Sequence, residues 1–258
     1  MKQLSLIFCF LPVLCFAQID DRFSDGNFSE NPSWVGNADR FIINQQLQLQ
    51  LKSSGTDTSC LFTRNYLITE AEWTWWMKLS FNTSANNFAR IYFVADTNEV
   101  EKISSALFLQ TGGGDDSLSV YEQNTIGCTK ILTLSAYLTN HSTNCLRIKI
   151  LHPTLNDWEL FIDSTGGCDF YHAGTFTDSI NRLTHWLGLF CKYTSSNSSK
   201  FYFDDFYVGP IRRDTIPPKV LSAELLTDRT LELSYSEIPE KSSAENPLNY
   251  IISSHGEN

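Results

Sequence analysis

A chain of 258 residues with a formal net charge of −10 is too acidic to favour nucleic acid or an anionic membrane, both of which select basic surfaces. A hydrophobic content of 42% supports a sizeable core. Seven cysteines without one C-x-x-C spacing give no support to a zinc knuckle.

The chain opens on a leader. Lys2 supplies the positive start, residues 4–16 are almost unbroken apolar chain, and Cys15-Phe16-Ala17 offers small residues for cleavage. That run is shorter than the roughly 20 residues a bilayer crossing takes. Residues 1–17 therefore read as a signal peptide, and Leu14 ahead of Cys15 speaks against lipidation. The mature chain is expected from Gln18, exported to the periplasm, the cell surface or the medium, without membrane insertion. Cys60, Cys128, Cys145, Cys168 and Cys191 remain, an odd count that leaves disulfide pairing open.

Residues 18–210 carry a period of two. Ala71, Trp73, Trp75, Met77 and Leu79 alternate with Glu72, Thr74, Trp76 and Lys78, and the next run sets Ala89, Ile91 and Phe93 against Arg90 and Tyr92. Further runs lie at 105–110, 118–123, 146–151, 158–163, 186–193 and 201–208, with turn signals such as Gly112-Gly113-Gly114-Asp115-Asp116 and Gly166-Gly167 between them. This pattern predicts an all-β, antiparallel jelly-roll sandwich. A stiff, polar linker follows over 211–217. Residues 218–258 hold two more alternating runs, 220–226 and 230–235, separated by Thr227-Asp228-Arg229. They read as the start of a truncated immunoglobulin-like domain, which needs about seven strands when complete.

Asp20-Asp21-Arg22-Phe23-Ser24-Asp25-Gly26-Asn27-Phe28, Trp34-x-Gly36, Trp73-Thr74-Trp75-Trp76-Met77-Lys78-Leu79 and Phe201-Tyr202-Phe203-Asp204-Asp205-Phe206-Tyr207-Val208-Gly209 carry a resemblance. Together they resemble bacterial secreted proteins with an N-terminal concanavalin-A-like (laminin-G-like) jelly roll. The tail, through Pro217-Pro218, Leu231-x-Leu233-x-Tyr235 and Asn246-Pro247, is similar to bacterial immunoglobulin-like modules. In such proteins a lamin-tail domain often follows, and none is present here. The resemblance implies that first and last strands of the jelly roll lie side by side. It would then gather the acidic groups at the two ends of the domain, and Asp21, Asp25 and Asp205 become candidate ligands of a structural calcium ion. Strict alternation puts Asp205 on the face of Phe201, Phe203 and Tyr207.

No residues are assigned to catalysis. A glycosidase needs two carboxylates facing each other across one bond. Asp157, Glu159 and Asp163 share a strand face but are interrupted by Phe161, and Glu70 with Glu72 are read as strand-end residues. Trp76 stands on the face opposite Trp73 and Trp75, and with Arg90 and Tyr92 on the next strand it forms a candidate sugar-stacking platform. The sequence thus points to an exported, non-catalytic module for carbohydrate or surface recognition, its partner a polysaccharide or cell-surface glycan. The alternatives are a glycoside hydrolase-like enzyme, degraded or with its catalytic domain further along, and a structural spacer. Ligand identity and oligomeric state stay open.

Overall fold

Successive side chains of a strand leave on opposite faces, so a run with every second residue apolar offers one oily side to a partner sheet. The computed structural model describes residues 18–135, 138–154, 156–178, 182–213, 217–237 and 239–251, and in it those runs are strands. The leader at 1–17 and linker residues 214–216 lie outside the described residues. The chain divides into two compact units, residues 1–211 and 212–258.

In chain order the first unit holds β1 (Ile19–Asp21), β2 (Val35–Gly36), β3 (Phe41–Ile43), β4 (Leu49–Leu51), β5 (Asp57–Arg64), β6 (Ala71–Leu79), β7 (Phe88–Ala95) and β8 (Ser105–Thr111). It continues with β9 (Leu118–Asn124), β10 (Cys128–Thr133), β11 (Asn144–His152), β12 (Asp157–Asp163), β13 (Tyr171–Thr177), β14 (Trp186–Tyr193) and β15 (Phe201–Pro210). The first sheet runs β13-β12-β11-β6-β15-β4-β3, and β1 also pairs with β15. The second runs β10-β9-β8-β7-β14-β5-β2. Every pairing is antiparallel, and the expected jelly-roll sandwich is what the chain builds. β4 pairs with Tyr202 and Phe203 while β1 pairs with residues 206–208, so the first and last strands do lie side by side. β6 and β7, neighbours in sequence, belong to different sheets.

Rings from both sheets fill the space between them. Trp73 of β6 and Trp158 of β12 have centroids 5.4 Å apart, and Phe93 of β7 reaches across to Trp158 at 5.5 Å. Each such pair is worth about 0.5–1.5 kcal/mol beyond the area it buries. Trp73, Trp75, Met77 and Leu79 are all buried, as their alternation requires.

Two bulges change the phase. In β15 the register with β6 slips between Asp204 and Tyr207, and Asp205 takes a positive φ of 52°. The buried side then passes from Phe201 and Phe203 to Phe206 and Val208. Asp205 therefore does not share a face with Phe201 and Phe203, and Tyr207 too leaves their face: one extra residue in the ladder cancels the alternation. In β7 a slip between Tyr92 and Val94 puts Phe93 and Val94 both in the core and turns Ala95 outward.

The second unit is a hairpin of β16 (Val220–Thr227) and β17 (Thr230–Tyr235), followed by a one-turn helix, α1 (Lys241–Ala244). Its Leu221, Leu225 and Leu226 stay 66%, 71% and 57% exposed, so the hairpin buries little of its own apolar surface. No helix among the described residues is long and apolar enough to cross a membrane.

Candidate functional site

Alternation should make the outward positions of the second sheet polar. Instead they carry a ladder of rings: Phe62 of β5, Tyr92 of β7, Phe108 of β8 and Tyr121 of β9. Successive centroids are 5.8, 5.0 and 5.0 Å apart, and Phe108 and Tyr121 stack nearly parallel. Strand β14 lies between Phe62 and Tyr92, and its residue paired with both is Gly188. A Cβ there would sit 2.1 Å from a Phe62 ring carbon, so only the absence of a side chain lets the ladder cross that strand. Trp186, Ile103 and Ala106 seal one end of the ladder into a small second core.

Beside the ladder lies a second row, Phe88 and Arg90 on β7, Phe190 and Lys192 on β14, and Gln110 on β8. Arg90 Nε donates to Gln110 Oε1 at 2.8 Å, and its Nη1 reaches the Tyr92 hydroxyl at 3.4 Å. The Gln110 amide is itself held by the Gly112 carbonyl at 2.9 Å. The guanidinium carbon lies 4.7 Å from the Phe108 centroid, 5.2 Å from Phe88 and 5.5 Å from Phe190, so it rests among three rings. Burial pushes the Tyr92 phenol up in pKa, with the Arg90 charge pulling the other way. Phe190 also lines an adjoining groove of about 370 Å³ with Asn37, Arg40, Asp57, Asn98 and Glu101. Rings that stay part-exposed, fixed amides and a groove of hydrogen-bonding side chains thus share one outward face.

The platform expected from Trp76, Arg90 and Tyr92 is not assembled. Trp76 faces outward as expected, but on the first sheet, whereas Arg90 and Tyr92 face outward from the second. The connection after β6 crosses between layers, which alternation alone does not reveal. Tyr92 is also fully buried among the ladder rings. Trp76 lies under a turn: a Cβ on Gly166, whose φ is +78°, would meet the Trp76 Nε1 at 2.7 Å and the Cys145 sulfur at 2.4 Å. Asp163 anchors that turn, accepting the Thr165 N–H at 2.7 Å and the Asp169 N–H at 2.8 Å. Those bonds, led by the Thr165 hydroxyl, hold its carboxyl below the usual range.

The calcium set does not fit either. Asp21 accepts the Trp34 indole N–H at 2.8 Å on one oxygen and the Phe23 N–H at 3.0 Å on the other, bonds that turn its carboxylate toward its own segment. Burial raises its pKa, against those two bonds. Asp25 is clasped by the N–H and side-chain amide of Asn27, at 3.1 and 2.8 Å, and Asp205 pairs with Arg147 at 2.7 Å. Adjacent β1 and β15 bring the acidic ends near each other, but among the described residues no three His, Cys, Asp or Glu side chains form a group able to hold a metal. The five cysteines are free thiols here. Of the remaining carboxylates, Glu72 is buried, while Glu70 and Asp157 line an open cavity of about 500 Å³ at the end of the first sheet.

Phe88, Phe190, Gln110 and Lys192 escaped the sequence reading. Their signal was present as outward rings and cations at every second position: Phe88-x-Arg90-x-Tyr92, Phe108-x-Gln110 and Phe190-x-Lys192.

Solved structures share the fold of the first unit. A structure of endo-acting O-glycanases expressed by the human gut microbiota to initiate mucin breakdown matches with a TM-score of 0.56 at 7% identity, over 76% of this chain and 100% of that one. The exoplasmic/lumenal domain of VIP36, in a Ca2+/Man3GlcNAc-bound form, gives 0.53 at 9%, over 74% and 88%. A Bacillus licheniformis β-glucanase gives 0.53 at 8%, over 75% and 98%. The sandwich is a concanavalin-A-like jelly roll. At these identities the likeness is one of fold, and the residues that do chemistry must be argued from this chain. No family model matches the sequence, and no curated protein matches it.

Proposed function

We propose that the first unit is an exported, non-catalytic carbohydrate-recognition module that binds polysaccharide or cell-surface glycan on the outward face of its second sheet. The observation that carries this reading is the union, on one outward face, of part-exposed Phe190 and Tyr121 with the part-exposed guanidinium of Arg90, which the buried Gln110 amide holds in place. Sugar rings present apolar C–H faces to aromatic side chains and hydroxyls to amides and charges. That the fold's neighbours include a mannose-bound VIP36 domain and a β-glucanase is compatible with a glycan ligand. Non-catalytic action is favoured by what occupies the outward strand positions of the second sheet: rings, amides and cations, where glycoside hydrolysis at that face would require facing carboxylates. The exposed leucines of the second unit support its reading as the opening of an immunoglobulin-like spacer in a modular surface protein.

Affinity electrophoresis of the full chain through gels containing a panel of soluble polysaccharides tests the reading. Retardation should occur with at least one polymer, fall at least several-fold in Phe190→Ala, and survive in Trp76→Ala on the opposite sheet. Retardation lost in Trp76→Ala and kept in Phe190→Ala would move the site to the first sheet.

A further inference from the structure

The outward strand positions of the second sheet hold four cations and no acid. Arg64 lies on β5, Lys192 on β14, Arg90 on β7 and Lys130 on β10, in a chain whose net charge is −10. Of the four, Lys130 has a carboxylate partner, Asp115 at 2.5 Å, and Arg64 stacks on Trp186 at 3.8 Å, away from the other cations. Arg90 and Lys192 instead stand together. Both rest near the same ring, with Arg90 Cζ 5.2 Å and Lys192 Nζ 5.7 Å from the Phe88 centroid, and neither has a carboxylate partner among the described residues. The adjoining groove offers them little: its Asp57 is engaged by Arg40 at 2.6 Å and its Glu99 by Lys102 at 2.6 Å, leaving Glu101 at the rim. The Arg90 Nη2 group has no described partner, while Nε and Nη1 are fixed by Gln110 and Tyr92.

Two like charges over one ring repel, and a bound anion relieves that repulsion. A guanidinium with its Nε already committed presents the remaining edge as a planar fork, the geometry that matches a carboxylate. The first sheet supplies the contrast, for its outward cations are interleaved with Glu159, Asp163 and Asp204, and Arg147 is paired with Asp205.

We infer that the ligand is an acidic polysaccharide, its uronic-acid carboxylate received by Arg90 and Lys192 while the sugar ring lies against Phe190. This rests on the carbohydrate-binding reading above and adds the ligand's charge.

The test uses the full chain in affinity electrophoresis and calorimetry against polygalacturonate and alginate, with neutral galactan, xylan and dextran as counterparts and chondroitin sulfate as a sulfated arm. Expected are binding to a polyuronate, weakening as salt rises from low to physiological strength, and about tenfold or greater loss in Arg90→Gln, with partial recovery in Arg90→Lys. Lys192→Gln, at a part-exposed position, should weaken binding by several-fold without disturbing the fold, checked by an unchanged melting temperature. Binding to a neutral polymer that Phe190→Ala removes and Lys192→Gln leaves intact would overturn the acidic ligand while keeping the second-sheet site. Preference for the sulfated polymer over both polyuronates would overturn the carboxylate, and absence of binding to every polymer would overturn both readings.

Discussion

Asp204 stands half-buried on β15, opposite Trp76 of β6, and burial is the main reason its pKa is raised from 3.8 to about 6. The neighbouring Asp205 and Asp21 push the same way, while the Asp205 N–H bond and Arg147 oppose it. In the unfolded chain the group returns to about 3.9. Between about pH 4 and pH 6 the native state therefore holds a proton that the unfolded state has released. This group's contribution is most favourable below pH 4 and fades as pH rises to 6, leaving a constant penalty above. A rise of roughly two pH units corresponds to about 3 kcal/mol at full burial. Solvent contact at a half-buried carboxyl roughly halves that, to about 1–2 kcal/mol. Asp204→Asn removes the charge but keeps an oxygen for the Asp205 N–H, which Asp204 accepts at 2.8 Å. The variant should thus gain about 1–2 kcal/mol at pH 7.5, or roughly 2–8 °C in melting temperature for a domain of this size. At pH 4 the two proteins should be nearly equal. Urea unfolding of both across pH 4–7.5 reads this directly. A difference that does not change with pH, or a variant less stable at pH 7.5, would refute the argument from burial.

Other outcomes follow from the packing. Gly188→Ala should lose about 1–3 kcal/mol in denaturant unfolding, because its Cβ would fall 2.1 Å from the Phe62 ring; it should also weaken polysaccharide binding by displacing the ladder. Arg182, almost wholly buried, donates to Asp178 at 2.5 Å and also pairs with Glu122. Arg182→Met should cost about 3–5 kcal/mol by removing the buried cation that Asp178 and Glu122 share. Calcium at millimolar concentration, or a chelator, should leave the melting temperature unchanged, since Asp205 is paired with Arg147 and among the described residues no three His, Cys, Asp or Glu side chains gather into a metal-holding group; a rise of several degrees with calcium would refute this.

The strands were readable because period two is a local property: Trp73, Trp75 and Met77 announce their buried face without knowledge of any neighbour. What alternation cannot carry is phase across an inserted residue, and Asp205 shows the loss. Its positive φ shifts the rest of β15 by one position, so a carboxylate expected to share a face with Phe201 and Phe203 pairs with Arg147 instead. Layer assignment is equally invisible. Trp76 and Arg90 are 14 positions apart in sequence yet face outward from opposite layers, because a sandwich permits the chain to change sheets at any turn. The ladder itself was legible in part, as rings at outward positions. The glycine that lets it continue through β14 gains meaning only once Phe62 and Tyr92 are known to flank it.

The pairing of β1 with residues 206–208 of β15 has a mechanical consequence. Ile19 stands opposite Val208, so the chain enters and leaves this unit at neighbouring points. Tension applied through flanking segments would load those few backbone bonds one after another, as in opening a zip, rather than all together as in sliding two ribbons apart. The rim at β1 is thus the first part to yield under pull, whereas the ring ladder on the other layer stays outside the line of force.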